Sequence, residues 1–430
     1  NNSSHVNDLN LIDGKMIDLV IVNFYPFLKE AKEKNLDFDK AIEFIDIGGP
    51  SMLRAAAKNY EHVVPLCDIE QYNEYIEVYK KNDGIIDIET RRKFSARIFK
   101  LTSQYDSIIY NYLGNHNELI PSDLNLNLNL TEKLRYGENP HQESGFYLSE
   151  SSELPWIQHQ GKQLSYNNFS DMESAINIAL EFDDSCCCII KHNNPCGFSL
   201  GSSLLEAFNS AVLSDPVSYF GGIVGFNKMV DKEVALSLVT PFLECIIAPS
   251  FSDDALDVLS GKKNLRVIQL NNHKSDDMSF RSVFNGYLIQ SKDSDQKECE
   301  NLKIVTDSKP NSDQLRAMEL GWILVRYIKS NAIALSNSKQ LLGVGAGQMS
   351  RIDSLKIALR KVHESSLNLD NSILASDAFF PFPDCVEMAA DNGIGAIIQP
   401  GGSINDKAII EEANNKNIVM AFTKVRHFLH

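Results

Sequence analysis

The sequence predicts a layered α/β protein of two domains, and three observations carry that expectation. Apolar runs of strand length alternate with segments of helical period along the 430 residues. A low-complexity stretch, SDLNLNLNL (Ser122 to Leu130), follows Pro121 with the composition of a linker and puts a boundary near Leu130; an ordinary surface loop is the plain alternative. Beyond it the alternation restarts in longer units that form two comparable blocks, suggesting a duplicated α/β unit, although no residue-level repeat is visible.

In the first domain, 1–130, a strand over Leu19 to Asn23 precedes helices over about Phe38 to Phe44 and Ser51 to Lys58. A strand over His62 to Cys67 and two longer helices, Gln71 to Lys81 and Glu89 to Leu113, complete it. In the second domain, 131–430, the first block has apolar runs at Cys186 to Ile190, Ile223 to Phe226, Cys245 to Ala248 and Val267 to Leu270. Helical patterns such as Leu204 to Leu213 and Glu233 to Leu238 separate them. Helix Ser312 to Ile328 opens the second block, with strands at Ala332 to Leu335, Leu341 to Val344, Ile373 to Ala375, Ile394 to Ile398 and Ile418 to Phe422.

Composition removes several function classes. The formal net charge of −16, with no basic tract, argues against nucleic acid as a partner, because phosphate binding needs clustered Lys and Arg. The longest apolar runs, such as DLVIVNFYPF (Asp18 to Phe27), are too short to span a bilayer, and NNSSHVNDLN lacks an apolar signal segment. The expectation is a cytoplasmic protein with no membrane partner. The eight cysteines lack CxxC or Cys/His ligand spacing: Cys186, Cys187 and Cys188 are consecutive, and Cys67, Cys196, Cys245, Cys299 and Cys385 are scattered. Reduced thiols and no metal are expected, with the triple cysteine serving as small buried hydrophobes of a strand.

The chemistry concentrates at Lys191 and His192. They end the apolar run CCCII and open a breaker-rich loop, NNPCG (Asn193 to Gly197), so a buried strand delivers a cation and a titratable imidazole to a pocket mouth. That pairing suits stabilising an oxyanion while moving a proton; a solvated lysine beside a core histidine is the plain alternative. LRYGENPHQ (Leu134 to Gln142) sets Arg135 and Tyr136 before a Gly-Glu-Asn-Pro turn, offering a cation and a ring to something flat and anionic. A structural turn explains its glycine and proline equally well. DPVSYFGGIVGFN (Asp215 to Asn227) places Phe220 beside Gly221 and Gly222, where a ligand can approach the backbone. VGAGQMSRIDS (Val344 to Ser354) looks like a phosphate-cradling loop without the Lys and spacing of a Walker A motif. ASDAFFPFPD (Ala375 to Asp384) gathers three phenylalanines around Pro381, either as core or as the wall of a site for an aromatic ligand.

Together, LRYGENPHQ, KHNNPCG, DPVSYFGG, the Asn331 segment KSNAIALS, VGAGQMSRIDS, ASDAFFPFPD and the terminal RHFLH resemble, in order, the motifs of the bifunctional AICAR transformylase/IMP cyclohydrolase family of purine biosynthesis. NFYPF (Asn23 to Phe27) and IDIGGPSMLRAAAKN (Ile45 to Asn59) resemble the second half of that family's cyclohydrolase domain. The resemblance implies a truncated methylglyoxal-synthase-like domain, 1–130 with its linker, followed by a transformylase domain, 131–430, of two cytidine-deaminase-like α/β units. The family's N-terminal strand, phosphate-binding loops and Gly-Arg-Val-Lys-Thr segment are not found before Leu19, so the cyclohydrolase step is expected to be impaired.

The implied reaction is transfer of the formyl group of 10-formyltetrahydrofolate, a co-substrate, to the 5-amino group of AICAR (5-aminoimidazole-4-carboxamide ribonucleotide), giving FAICAR and tetrahydrofolate. The conjugated amine is a poor nucleophile that needs deprotonation as it attacks. The resemblance makes His192 the base, and has Lys191 steady the oxyanion or protonate the departing folate nitrogen. Asn331 would orient the reacting groups. Arg135, Tyr136, Gly221, Glu244, Phe379 and Arg426 would hold AICAR, while Phe220, Arg351, Ile352, Pro381, Phe382, Asp384 and Ile404 would line the folate side. In the first domain Lys58 becomes the acid/base residue for closing FAICAR to IMP with loss of water, with Asn23, Tyr25, Asp46, Ile47 and Gly48 around the ring. An ion pair of Asp46 with Lys58 is the plain alternative there. A homodimer is implied, and a catalytically inactive nucleotide-binding protein is the competing reading.

Overall fold

Alternation becomes sheet and helix in a computed structural model that describes residues 3–34, 36–114, 120–149, 154–271, 278–293 and 302–430. The chain is a mixed α/β protein with several sheets, and it divides into two compact units, 1–127 and 128–430. The cysteine expectation at Cys299 lies outside the described residues.

The first unit runs α1 (Ser3–Leu11), β1 (Leu19–Ile21), a π-helical turn (Leu28–Glu33), α2 (Phe38–Ile42), α3 (Gly48–Lys58), β2 (Val64–Leu66), α4 (Glu70–Lys81) and α5 (Ile88–Leu113). β1 and β2 pair in parallel. Leu53 and Ala57 of α3 and Ile98 of α5 form a small core with Cys67, while Leu66, Ile86 and Phe94 form another.

The second unit begins with β3 (Leu128–Lys133) and β4 (Gly145–Ser149), an antiparallel pair. The stretch expected to be a linker therefore already forms strand from Leu128. Its Leu/Asn alternation has the period of two that a half-exposed strand requires, which a reading by composition passes over.

Two blocks follow. The first comprises β5 (Trp156–Gln160), α6 (Tyr166–Ala179), β6 (Ser185–Lys191), β7 (Asn194–Gly201), α7 (Leu204–Ser214), β8 (Ile223–Phe226), α8 (Lys232–Leu238), β9 (Cys245–Ala248), α9 (Asp253–Ser260) and β10 (Arg266–Leu270). A hairpin, β11 (Met278–Val283) with β12 (Gly286–Ser291), leads to the second block. That block comprises β13 (Lys303–Ile304), α10 (Ser312–Val325), β14 (Ile333–Ser336), β15 (Leu341–Gly345), α11 (Arg351–Glu364), β16 (Ile373–Ser376), α12 (Asp384–Asp391), β17 (Ala396–Gln399), α13 (Asp406–Asn415) and β18 (Val419–Phe422).

The two six-stranded sheets have the same plan: β5-β10-β9-β8-β6-β7 and β13-β18-β17-β16-β14-β15, each with an antiparallel strand at one end and a hairpin at the other. Corresponding strands pair in the same sense throughout. The central strands are buried on both faces, which is why they read as unbroken apolar runs.

Side chains of β6 alternate: Cys186, Cys188 and Ile190 enter a core shared by both blocks, with α6 and α10 in it, while Cys187 and Ile189 enter the core beneath α7. The three thiols thus face opposite sides of one strand. Burial pushes the Cys186 thiol up to about 12. The seven cysteines among the described residues are free thiols.

One expectation needs correction. NNPCG is not a loop: β7 starts at Asn194 and pairs antiparallel with β6. The turn is only His192 and Asn193, at φ of 51° and 60°, the left-handed pair that a two-residue hairpin turn uses. Pro195 and Gly197 are accommodated where the register shifts between Ile189 and Ile190, and Gly197 lies where any Cβ would sit 2.3 Å from the Ala211 carbonyl.

Candidate active site

The sheet of the first block brings Lys191 to the end of β6, half-buried, with His192 exposed at the turn. The Lys191 ammonium donates to the carbonyls of Phe220 at 2.8 Å and Gly221 at 3.1 Å. Two of its three donors are thereby occupied, and the third remains for an incoming oxygen. Gly221 has φ +67°, and a Cβ there would come within 3.2 Å of Lys191 Nζ, so the missing side chain makes room for the ammonium. Phe220 is exposed, its ring 5.3 Å from that of Phe242.

Asp215 fixes this loop from behind. Its carboxylate accepts the N–H groups of Val217 at 3.2 Å and Ser218 at 2.9 Å and pairs with Lys361 at 2.8 Å. Burial acts to raise the carboxyl's pKa, but the hydrogen bonds from Lys361 and Ser218 prevail and hold it below the usual carboxylate range.

Other expected substrate contacts connect to the same loop. Glu244 donates its N–H to the Gly222 carbonyl at 3.1 Å, and its carboxylate takes Arg266 Nη1 at 2.7 Å. Arg266 is buried and also donates to the Gln163 carbonyl, beside Leu164, whose carbonyl accepts the Arg135 N–H. The Arg135 guanidinium lies 5.3 Å from the Tyr136 ring centroid.

The second block reaches the Lys-His turn through Asn194, whose side chain accepts the Lys329 N–H at 3.0 Å. Asn331, two residues on, donates its N–H and its amide to the Gln348 carbonyl, and its own carbonyl accepts the Ser354 hydroxyl at 2.8 Å. Asp377 is fully buried and accepts Arg351 Nη2 at 3.0 Å, the Ser330 hydroxyl, and, through its carbonyl, the His427 N–H at 2.9 Å. Arg426 stands 4.6 Å from the Phe428 ring centroid, and Arg351 5.9 Å from the same ring. Lys191, His192, Gly221, Asn331, Arg351 and Arg426 therefore belong to one connected set of contacts. Phe379, Phe382 and Ile404 are exposed, and Asn405 ties the Ile404 loop to the Pro381 carbonyl at 2.7 Å. Ile352 follows Arg351 into α11, and Asp384 opens α12.

VGAGQMSRIDS divides its roles. Gly345 ends β15, where a Cβ would meet the Ser354 carbonyl oxygen at 1.9 Å, so this glycine serves strand-helix packing. Gly347 has φ +67° and open space around it. Ser350 caps α11 through the Asp353 N–H.

In the first unit the Asp46 carboxylate accepts the N–H groups of Gly49 at 2.8 Å and Tyr25 at 3.4 Å, at the start of α3. Asn23 Oδ1 accepts the Tyr72 hydroxyl at 3.1 Å. Ile47 and Gly48 are exposed. Lys58 ends the same helix, so roughly 16 Å of helix axis separates it from Asp46 and removes the ion-pair alternative.

Sequence reasoning missed Asp171, Arg266 and the buried role of Asp377. Asp171 sits in α6, where it accepts the Asn193 N–H at 2.7 Å; nothing in the local pattern of that helix marks it. Among the described residues no group of three His, Cys, Asp or Glu side chains is placed to hold a metal ion, and no helix is long and apolar enough to cross a membrane.

Comparison with known proteins places this geometry in a family. The model of the AICARFT/IMPCHase bienzyme matches residues 56–361. A bifunctional purine biosynthesis protein PurH of Caldicellulosiruptor saccharolyticus is 44% identical over 442 residues, covering 100% of this chain and 85% of that protein. A PurH of Fusobacterium nucleatum is 44% identical over 100% of this chain and 84% of its own length. A Clostridium botulinum PurH is 45% identical over 96% of this chain and 81% of its own length. A family match across most of the chain and relatives aligned along its length leave one conclusion: the chain belongs to the AICARFT/IMPCHase bienzyme family.

Proposed function

We propose that Lys191 and His192 carry out the formyl transfer of this bienzyme. The enzyme moves the formyl group of 10-formyltetrahydrofolate to the 5-amino group of AICAR and closes the product, FAICAR, to IMP with loss of water. The observation that supports the assignment is the Lys191 ammonium seated on the Phe220 and Gly221 carbonyls with His192 adjacent at the turn. As the amine attacks the formyl carbon, His192 takes its proton, and the unused Lys191 donor meets the developing oxyanion. The C–N bond to the folate then breaks, and a proton passes to the departing nitrogen.

Arg135, Tyr136, Gly221, Glu244, Phe379 and Arg426 hold AICAR in this proposal, with Asn331 orienting the reacting groups. Phe220, Arg351, Ile352, Pro381, Phe382, Asp384 and Ile404 line the folate side, and aromatic faces at Phe220 and Phe382 suit a pterin. For cyclisation, Lys58 is the acid/base group, with Asn23, Tyr25, Asp46, Ile47 and Gly48 around the ring. Intramolecular attack leaves the protein mainly orientation to supply. We read the first domain as methylglyoxal-synthase-like and each six-stranded block as a cytidine-deaminase-like unit, the second reading supported by the shared strand order. The protein works in the cytoplasm as a homodimer without a metal. Exposed Phe284, Tyr287 and Leu288 on the β11–β12 hairpin support self-association.

The test is turnover of AICAR with 10-formyltetrahydrofolate, read as tetrahydrofolate and FAICAR formed. His192→Ala is expected to lower kcat for formyl transfer roughly 10²- to 10⁴-fold. Nucleotide binding without turnover in the wild type is the result expected of an inactive binding protein, and it sinks the proposal.

A further inference from the structure

We infer that Asp171 is the positioning residue of the formyl-transfer turn: its carboxylate holds His192 and Asn193 in their left-handed conformation. The inference rests on His192 being the base of the proposed function.

Side chains rarely adopt positive φ, and here two adjacent ones do, at 51° and 60°. Such a turn persists only when its surroundings impose it. Asp171 supplies that constraint from α6. One oxygen accepts the Asn193 N–H at 2.7 Å, and the Asn193 amide nitrogen, turned toward the helix, reaches the same oxygen at 2.9 Å and the Ser170 hydroxyl at 2.8 Å. The turn is thereby tied to α6, whose N-terminus is fixed by the reciprocal Ser165 and Asn168 caps.

Two charged groups face this carboxylate from the β6–β7 turn, His192 and Lys191. Burial raises the Asp171 carboxyl's pKa, and the Asn193 N–H and the His192 and Lys191 charges oppose that shift. With Lys191 held by two carbonyls and Asn193 held by Asp171, the turn between them presents the His192 ring from a fixed backbone.

The experiment measures kcat and KM for formyl transfer to AICAR in Asp171→Ala, Asp171→Asn and the wild type, each with a thermal melt. The expected kcat of Asp171→Ala is about 10- to 100-fold below wild type, since a misplaced group costs that much, with KM for AICAR within about twofold. Asp171→Asn, whose amide oxygen still accepts from Asn193, recovers part of the loss. In both variants the loss falls on kcat and leaves KM for AICAR nearly unchanged, the split expected when a reacting group is misplaced but the substrate pocket is intact.

Wild-type kcat in Asp171→Ala, an Asp171→Asn no more active than Asp171→Ala, or a KM that rises in step with the fall in kcat overturns the inference. Should the alanine variant fail to fold, the asparagine variant decides: a wild-type kcat in it, or a KM that rises in step with the fall in kcat, overturns the inference. Full activity in His192→Ala overturns the base assignment and this inference together, whereas the Asp171 results overturn this inference alone.

Discussion

Lys191 shows how one side chain gains chemistry from neighbours that contribute only backbone. An ammonium is a compact point charge with three donors, and two carbonyls fix it while leaving one donor open. Replacing it by methionine keeps the stem and removes the charge, so Lys191→Met is expected to lower kcat about 10²- to 10³-fold with little change in melting temperature. Lys191→Arg is expected to be a poor substitute, because a planar fork does not reproduce the compact point charge that the Phe220 and Gly221 carbonyls hold. Steady-state kinetics on both variants check this, and wild-type kcat in the methionine variant refutes it. The Lys-His pair was legible because it terminates an apolar run. Asp171 was not, since its meaning comes from a contact 22 residues away along the chain that no local period encodes.

Elements were legible wherever burial on both faces made a strand continuously apolar, as in β8, β9, β16 and β17. β7 was not, because Asn, Pro and Gly dominate its start, and its pairing to β6 along one edge overrides their local preference. β3 hid in a sequence that looked like a linker, and β5, with exposed and half-buried polar residues, gave no apolar run. Glycines in VGAG illustrate how context separates identical residues. Gly345→Ala forces a Cβ onto the backbone of α11 and is expected to cost about 3 kcal/mol or more, with β15 pushed from its helix. Gly347→Ala meets open space and pays only for its left-handed conformation, about 1 kcal/mol. Urea denaturation of the two variants should separate them by at least that margin; equal costs would remove the packing role from Gly345.

At the scale of the molecule, two blocks of one plan share one of their cores, and the candidate site draws on both. Duplication was legible as restarted alternation, but the joint was not, since it depends on edges meeting: the Leu200 N–H donates to the Lys339 carbonyl, and Ser199 bridges to Gln340. Asp215 and Lys361 form the charged part of the same joint, one preceding β8 and the other in α11. The folded carboxyl's pKa lies below its unfolded value near 3.9, so the carboxylate stabilises the fold fully above that pH and loses its contribution as pH falls through the folded value. Partial exposure of Lys361 limits the pair to about 1 kcal/mol. Asp215→Asn is therefore expected to be less stable than wild type by that amount at neutral pH, with the gap shrinking below about pH 4. Urea midpoints taken from pH 7 down to the acid limit of the fold check the sign. A gap that stays constant, or widens toward acid, would mean that Asp215 acts through its hydrogen bonds to Val217 and Ser218 alone, and that charge plays no part in joining the two blocks around the site.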